Sequence, residues 1–485
     1  MSTLAALLLP PLAATLTAIV VRPYRAFVGW LTLAAAAVSF AAAVRLAAEM
    51  LRGVRDVPVP SGLWHVDALS ALLALCITFV TLLASALAPG LGEVSAANAS
   101  EVRRLRTYMA AFAFTMLLAV SVQSVALMWV AIEATTIASA LAIPLHRTRA
   151  SVEASWKYLL VCSVGIALAF AGTILAYFGF VATAGQVPGA LNWSVLRATA
   201  PALDPTLMRM AFAFILIGYG TKAGLAPMHT WLPDAHSEAP PAISAMMSGV
   251  LLAVATYAIA RWKSVVDSAV DPSFTNGLLL GFGLLSVAIG ALSLVIQRHY
   301  KRMLAYSSLE HMGLVTVGLT LGPAGMFAAW LHVMNHAVAK SASFLLAGRI
   351  LHRYRTAEIA GVSGLMRVMP WTGGLFALGV LALVGLPPFG LFVSEYLLVQ
   401  AAVVSRRWWL AAALLALLLT TFVSLISHLN RMLYGDAPDD VRGGEGSAWP
   451  LAALTLPAAL LVVLGIALPS PLSSLIDRSV NTLLH

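Results

Sequence analysis

Four charged side chains stand in stretches otherwise suited to hydrocarbon, and their surroundings point to ion chemistry. Lys222 lies in the segment Gly218–Gly249, GYGTKAGLAPMHTWLPDAHSEAPPAISAMMSG, whose apolar run breaks at Pro227. Glu133 sits in the middle of ALMWVAIEATTIASALAI, Lys340 follows His332 and His336 at steps of four, and Glu395 follows the break GLPPFG. A charge at membrane depth costs roughly 2.5–3.5 kcal/mol on insertion scales, so each is a functional candidate by default. A helix interrupted by Gly and Pro exposes backbone groups, which is tolerated only beside protein or a watery cavity.

The pair Glu133 and Lys222 has two readings. One is a structural ion pair that holds helices together. The other is a protonatable switch, which needs water or another charge to compete for the proton. His332, His336 and Lys340 line one helix face. Each step along that face rises ~6 Å, too far for a direct hydrogen bond of ~3 Å, so a relay along them requires water. HxxxH is half of a zinc site, but no HExxH motif or obvious third ligand accompanies it, and no metal is expected. Glu395 is either an acid at the second break or an interfacial residue among headgroups. Glu310, His311 and His428 fall near inner helix ends, where they either feed protons or snorkel. Asp234, His236 and Glu238 resemble ligands, yet residues two apart on a loop more often cap helices and bond backbone. Cys76 and Cys162 lie in apolar runs without a CxxC partner, which excludes a Cys-ligated cluster, a zinc ribbon or a disulfide framework within the chain.

The elements that must position these residues are transmembrane helices. The chain has 485 residues, of which 60% are hydrophobic and 10% charged, against about 25% charged in a soluble domain. Its mean hydropathy is +0.91. The fold class is therefore all-α: a polytopic membrane protein of about 14 transmembrane helices, counted at roughly 20 apolar residues each. The opening MSTLAALLLPPLAATLTAIVV has no basic leader or small-residue cleavage site and reads as the first span. The formal net charge of +9 comes from Lys and Arg in short loops, so it reads as a topology signal and implies no nucleic acid partner. Their excess on one set of loops places both termini outside the cytoplasm.

Spans 7 and 12 are both broken, at KAGLAP and GLPPFG, and lie five spans apart. That pattern predicts two inverted five-helix repeats, spans 4–8 and 9–13. The expected division is residues 1–106 for spans 1–3, 107–262 for the first repeat, 263–434 for the second, and 435–485 for span 14. Residues 89–106 and 182–206 are expected as loops, the re-entrant piece after Pro227 as ending near 232, and the tail after span 14 as too short for a lateral helix.

Four motifs carry a resemblance: KAGLAPMHTWLPDAHSEAP, KRMLAYSSLEHMG, HVMNHAVAKSASFLLAG and GLPPFGLFVSE. With them the chain resembles the antiporter-like membrane subunits of complex I and of Mrp-type cation/proton antiporters over roughly residues 60 to 435. The first motif looks most like component F of hydrogenase-4, a membrane-bound [NiFe] hydrogenase. The resemblance implies a pumping glutamate at Glu133, the broken-helix lysine at Lys222, central relay residues at His332, His336 and Lys340, and an exit-side acid at Glu395. It also marks a departure. Many relatives carry Lys or His on helix 8, where SGVLLAVATYAIAR offers only Ser248, Ala253 and Thr256.

The expectation is a proton-translocating subunit with no redox chemistry of its own, in the cytoplasmic membrane of a bacterium or archaeon. Ni–Fe and Fe–S centres or quinone would belong to partner subunits, so no cofactor is expected in this chain. Partners would be further antiporter-like subunits, a peripheral redox arm and the lipid bilayer. The alternatives are a subunit of a multisubunit Na⁺/proton antiporter, or a membrane anchor whose charges only pair helices.

Overall fold

A backbone that crosses hydrocarbon must satisfy its own polar groups, and long Ala-, Leu- and Val-rich runs do so as helices. The structure is a computed structural model describing residues 2–53, 62–92 and 94–484. Part of the polar loop after the second span, including Arg55 and Asp56, lies outside the described residues. The chain opens with α1 (Ser2–Val20), α2 (Ala26–Leu51) and α3 (Ala68–Leu87). Next come α4 (Ala96–Ala119), α5 (Val125–Ala142) and α6 (Arg149–Ala184). A short α7 (Trp193–Thr199) precedes α8 (Pro205–Lys222), α9 (Trp231–Glu238) and α10 (Pro241–Met246). A π-helical turn, Met247–Leu251, joins α10 to α11 (Leu252–Ala269). The second half holds α12 (Pro272–Val295), α13 (Tyr300–Gly318), α14 (Gly322–Tyr354), α15 (Leu365–Val368), α16 (Pro370–Leu383), α17 (Gly390–Val404) and α18 (Trp408–Leu433). The chain continues through α19 (Trp449–Ile466) to α20 (Ser470–Leu484).

The described residues form the expected all-α, multi-pass pattern, with a pair of half-helices at each break. Among the described residues, 9 continuous helices are long and apolar enough to cross a membrane. The helices bearing Lys222, His311 and Lys340 are outside that set, because their polar side chains lower their hydropathy.

Three expectations about loops are corrected. Residues 96–106 are helical, the first turns of α4. Arg106 is consequently buried, where it donates to Pro89 O (2.9 Å), Ser85 O (2.9 Å) and Ala88 O (2.7 Å). These are the carbonyls left over at the end of α3, so the guanidinium caps a neighbouring helix. The re-entrant piece α9 runs to Glu238, well past the expected end, and α7 occupies part of the expected 182–206 loop. Beyond α19, α20 buries Leu475, Ile476, Ser479, Val480 and Leu483 at helical spacing and packs against α3 and α2. Arg478 pins it by donating to Met50 O (2.6 Å), and Arg197 on α7 donates to Thr482 O (2.7 Å) near its C-terminus.

The site-bearing helices are positioned by close approach at small residues. A Cβ on Gly218 of α8 would lie 2.5 Å from Ala169 N, and one on Gly165 of α6 would lie 2.6 Å from Thr221 Cβ. Here α6 and α8 touch backbone to backbone, next to Lys222. Overpacking of this kind costs about 1–3 kcal/mol. Gly218→Leu should therefore lower the detergent-solubilised melting temperature, whereas Gly281→Ala, which points into open space, should leave it unchanged or raise it. Thermal unfolding followed by size-exclusion chromatography reads both.

Candidate functional site

Lys222 is the last residue of α8, and the break that follows it is held from three sides. Gly224 has φ +73°, which only Gly adopts readily, and Leu225 N donates back to Gly220 O (2.8 Å). Trp231 Nε1 donates to Thr221 O (2.9 Å), and Ala226 N donates to Ser286 Oγ of α12 (2.9 Å). The exposed backbone groups of the break are thus taken up by protein, as its depth requires.

The Lys222 ammonium is fully buried. It donates to Thr136 Oγ1 at 2.9 Å and to the Tyr158 hydroxyl, whose ring it also faces at 4.7 Å. Thr136 Oγ1 in turn donates to Glu133 Oε2 (3.1 Å), and Ser163 Oγ donates to Glu133 Oε1 (2.9 Å). The expected Glu133–Lys222 pair is therefore joined through one hydroxyl and not by direct contact. Tyr158 continues the line to Ser139, oxygen to oxygen at 2.7 Å. A hydroxyl accepts one proton while giving another, so Lys222, Thr136 and Glu133 form a continuous donor–acceptor line.

The second half repeats the break and changes its contents. Gly385 has φ +66°, and Leu386 N donates to Leu381 O (3.2 Å), matching the first break residue for residue. Asn335 of α14 donates from Nδ2 to Gly390 O (2.9 Å), which fixes the start of α17. Glu395 is 6% exposed and folds back on the break, so it is not a headgroup contact. A Cβ on Gly385 would come within 1.9 Å of its Oε2.

Lys340, His336 and His332 are all fully buried on α14. Lys340 Nζ donates to Leu304 O (2.7 Å) and to Ser307 Oγ, both on α13. The direct steps on α14 are bridged by a ring from another helix. His311 Nδ1 lies 2.9 Å from His332 Nε2, and the His311 ring stands 5.2 Å from that of His336. His332 Nδ1 lies 2.9 Å from Ser394 Oγ, next in chain to Glu395. One ligand atom each from His311, His332 and Glu395 fall within 4.8 Å of one another. The cluster leaves out His336, so it does not complete the HxxxH pattern, and both nitrogens of His332 already have hydrogen-bonding neighbours. His311, His332 and Ser394 form a hydrogen-bonded track, and His336 stands beside it through ring contact alone.

Glu310 and His311 do not snorkel: both are buried on α13. His428 stands apart, with Nε2 2.9 Å from Leu294 O at the end of α12, so it caps a helix and does not join the track. Ser248 lies in the π-helical turn and meets Ser308 of α13, oxygen to oxygen at 2.7 Å. Such turns recur at functional sites.

The sequence reading missed several participants. Thr136, Tyr158, Ser139, Ser394 and Asn335 carry no charge, and only their helical register beside Glu133, Lys222, Glu395 and His332 could have marked them. Asp234, His236 and Glu238 lie on helix α9, not on a loop. Asp234 meets Lys157 of α6 (2.5 Å) and Arg302 of α13 (3.0 Å), tying three helices. His236 is buried and stacked on Phe344, ring centroids 5.2 Å apart.

Buried acids and bases on broken helices of a multi-pass helical bundle define an antiporter-like membrane protein. Residues 122–421 match the family described as "NADH:quinone oxidoreductase/Mrp antiporter, TM", and the chain belongs to it. A hydrogenase-4 component F homolog of Methylacidiphilum infernorum (isolate V4) is 39% identical over 366 residues, 75% of each chain. Among solved structures, a chain of an archaeal membrane-bound sulfane sulfur reductase superposes with TM-score 0.89 at 23% identity, covering 100% of this chain and 98% of that one. A chain of the Mrp complex from Dietzia sp. DQ12-45-1b gives TM-score 0.87 at 22% identity, with the same coverage. These two likenesses establish the fold.

The contact between Gly385 and Glu395 makes a sharp prediction. A side chain at 385 is strained by its positive φ and displaces the carboxylate, so Gly385→Ala should cost roughly 1–3 kcal/mol. Melting of the solubilised protein measures it, and an unchanged melting temperature would mean that Glu395 does not rest on the break.

Proposed function

We propose that this chain moves protons across the membrane as a subunit of a hydrogenase-4- or complex I-like respiratory assembly. The observation that carries the reading is the buried Lys222–Thr136–Glu133 line at a helix break. It places a base and an acid one hydroxyl apart with no water needed between them. A change in the charge or position of Lys222 reaches Glu133 through Thr136, and the reverse also holds. A second group of buried acids and bases, Lys340, His336, His311, His332 and Glu395, lies further along the chain, with His311, His332 and Ser394 joined by hydrogen bonds.

Moving one charge against 100 mV costs ~2.3 kcal/mol, so the free energy must come from elsewhere. In our reading it comes from electron transfer in partner subunits, which hold the Ni–Fe and Fe–S centres or quinone. Residues 107–262 and 263–434 act as two inverted repeats, a division supported by the matching backbone at Gly224–Leu225 and Gly385–Leu386. Both termini lie outside the cytoplasm, as the loop charges suggest.

The likeness to the Mrp complex favours a second reading, cation/proton exchange without redox chemistry. Reconstituted complex distinguishes the two. In the first reading Glu133→Gln and Lys222→Ala lower protons moved per electron pair at least about tenfold, the scale of a lost proton-transfer group. Undiminished stoichiometry in both variants would sink it. Proton movement driven by a Na⁺ gradient, with no electron donor, would establish the second.

A further inference from the structure

The departure noted on helix 8 holds in three dimensions. From Pro241 to Ala260 the buried face of α10, the π-helical turn and α11 offers Ser and Thr hydroxyls and a tyrosine, but no Lys, His or acid. A titratable group does reach this region from the neighbouring segment. His236 on α9 is 0% exposed, and neither of its ring nitrogens has a hydrogen-bond partner among the described residues. Both nitrogens of His336 are in the same condition. A ring retained for packing alone against Phe344 would serve better as a hydrocarbon, since each buried polar atom without a partner is destabilising.

The surroundings of His236 point in two directions. On one side is α14, where Phe344, on which the ring stacks, lies one helical turn from Lys340 and two from His336. On the other is a vestibule of about 660 Å³ lined by Pro240, Pro241, Leu345, Gly348, Arg349 and His352, among others. His236 does not itself line that cavity, but Pro240 further along its chain and Leu345 beside Phe344 do. Phe344, on which it stacks, precedes Leu345, and Ser237–Ala239 lead directly into Pro240. Lys301 of α13 clamps this turn by donating to Ser237 O and to Ala239 O (3.1 Å). Ser244 Oγ adds a bond to His236 O (3.0 Å).

We propose that His236 is a proton-transfer residue, carrying protons between this vestibule and the buried Lys340–His336 group. The imidazole accepts a proton at one ring nitrogen and releases one from the other. Its tautomer then resets by the reverse movement of the ring, and no electron or further group is transferred. The proposal rests on the proton-moving function above, because a chain that moves no protons has no use for such a residue. The charged or titratable groups that face the ring are Lys301 on α13 with Lys340 and His336 on α14, and Glu238 on its own helix bears on Lys301. Lys157 and Arg302 are engaged by Asp234.

The test uses the assembled complex in proteoliposomes, with electron transfer and proton translocation measured together. His236→Gln keeps a polar side chain of similar reach but neither takes up nor releases a proton, and should lower protons moved per electron pair about tenfold or more. His236→Glu restores a titratable group beside two lysines, and should recover part of that loss. Its pH profile should be displaced from the wild type's, because a carboxyl and an imidazole titrate at different pH. If Gln at 236 does not assemble, the Glu variant against wild type carries the test, and an unmoved profile overturns the proposal. Normal stoichiometry in His236→Gln, with a loss in Lys222→Ala, overturns the role of His236 and leaves the proposed function standing. Normal stoichiometry in both removes the function as well.

Discussion

Much of the structure depends on keeping one ammonium ion inside a helical bundle. A buried cation is stable only when desolvation is offset by partners, and Lys222 has two neutral oxygens and an aromatic face in place of a carboxylate. Reaching those oxygens fixes several other features. α8 must end at Lys222, so the chain needs the left-handed Gly224. α6 must bring Tyr158 close, so the α6–α8 contact needs Gly165 and Gly218. The interrupted backbone then needs Trp231 and Ser286 to take its loose groups. A direct ion pair with Glu133 would hold the charge more tightly, but it would also hold the proton in one place. The intervening Thr136 keeps acid and base in communication without fusing them.

The two halves use one backbone device for different chemistry. At the first break the charged residue precedes the turn, on the last turn of α8; at the second it follows, on α17. The carboxylate of Glu395 therefore faces back over Gly385, while Lys222 faces across to α5 and α6. The acid of the first half is reached through hydroxyls, whereas that of the second is approached through imidazole rings contributed by α13 and α14. Hydroxyl lines respond to reorientation alone. An imidazole has two ring nitrogens, one accepting while the other donates, so the second track is built from groups of a different kind.

Much of this was legible in the sequence because membrane insertion makes charge conspicuous. Glu133, Lys222, Lys340 and Glu395 stand out in apolar runs, and KAGLAP and GLPPFG mark the breaks by composition alone. The roles of neutral groups were not legible. Thr136 and Ser394 are ordinary residues for a membrane helix, and only the crossing of helices gives them work. The inner-end placement of Glu310 and His311 failed for the same reason. α13 is short of apolar length, and packing by α12 and α14 buries its polar face. Arg106 looked like a loop charge because nothing local indicates that it reaches the last carbonyls of α3. α20 escaped notice because its mean hydropathy is low, and its signal is periodicity rather than composition.

How the halves communicate is constrained by one carbonyl. Leu304 O accepts from Lys340 Nζ at 2.7 Å and from Ser308 Oγ at 3.0 Å, and Ser308 meets Ser248 in the π-helical turn. The line from Lys340 to α10 and α11 is thus unbroken as a series of hydrogen bonds. It is not a proton path, because an amide carbonyl accepts hydrogen bonds and has no proton to hand on. What can pass along it is position. Leu304 O accepts from Lys340 and from Ser308 at once, as a carbonyl with two lone pairs can. The π-helical turn already departs from regular α-helical bonding, so it is the part of this segment best suited to adjust.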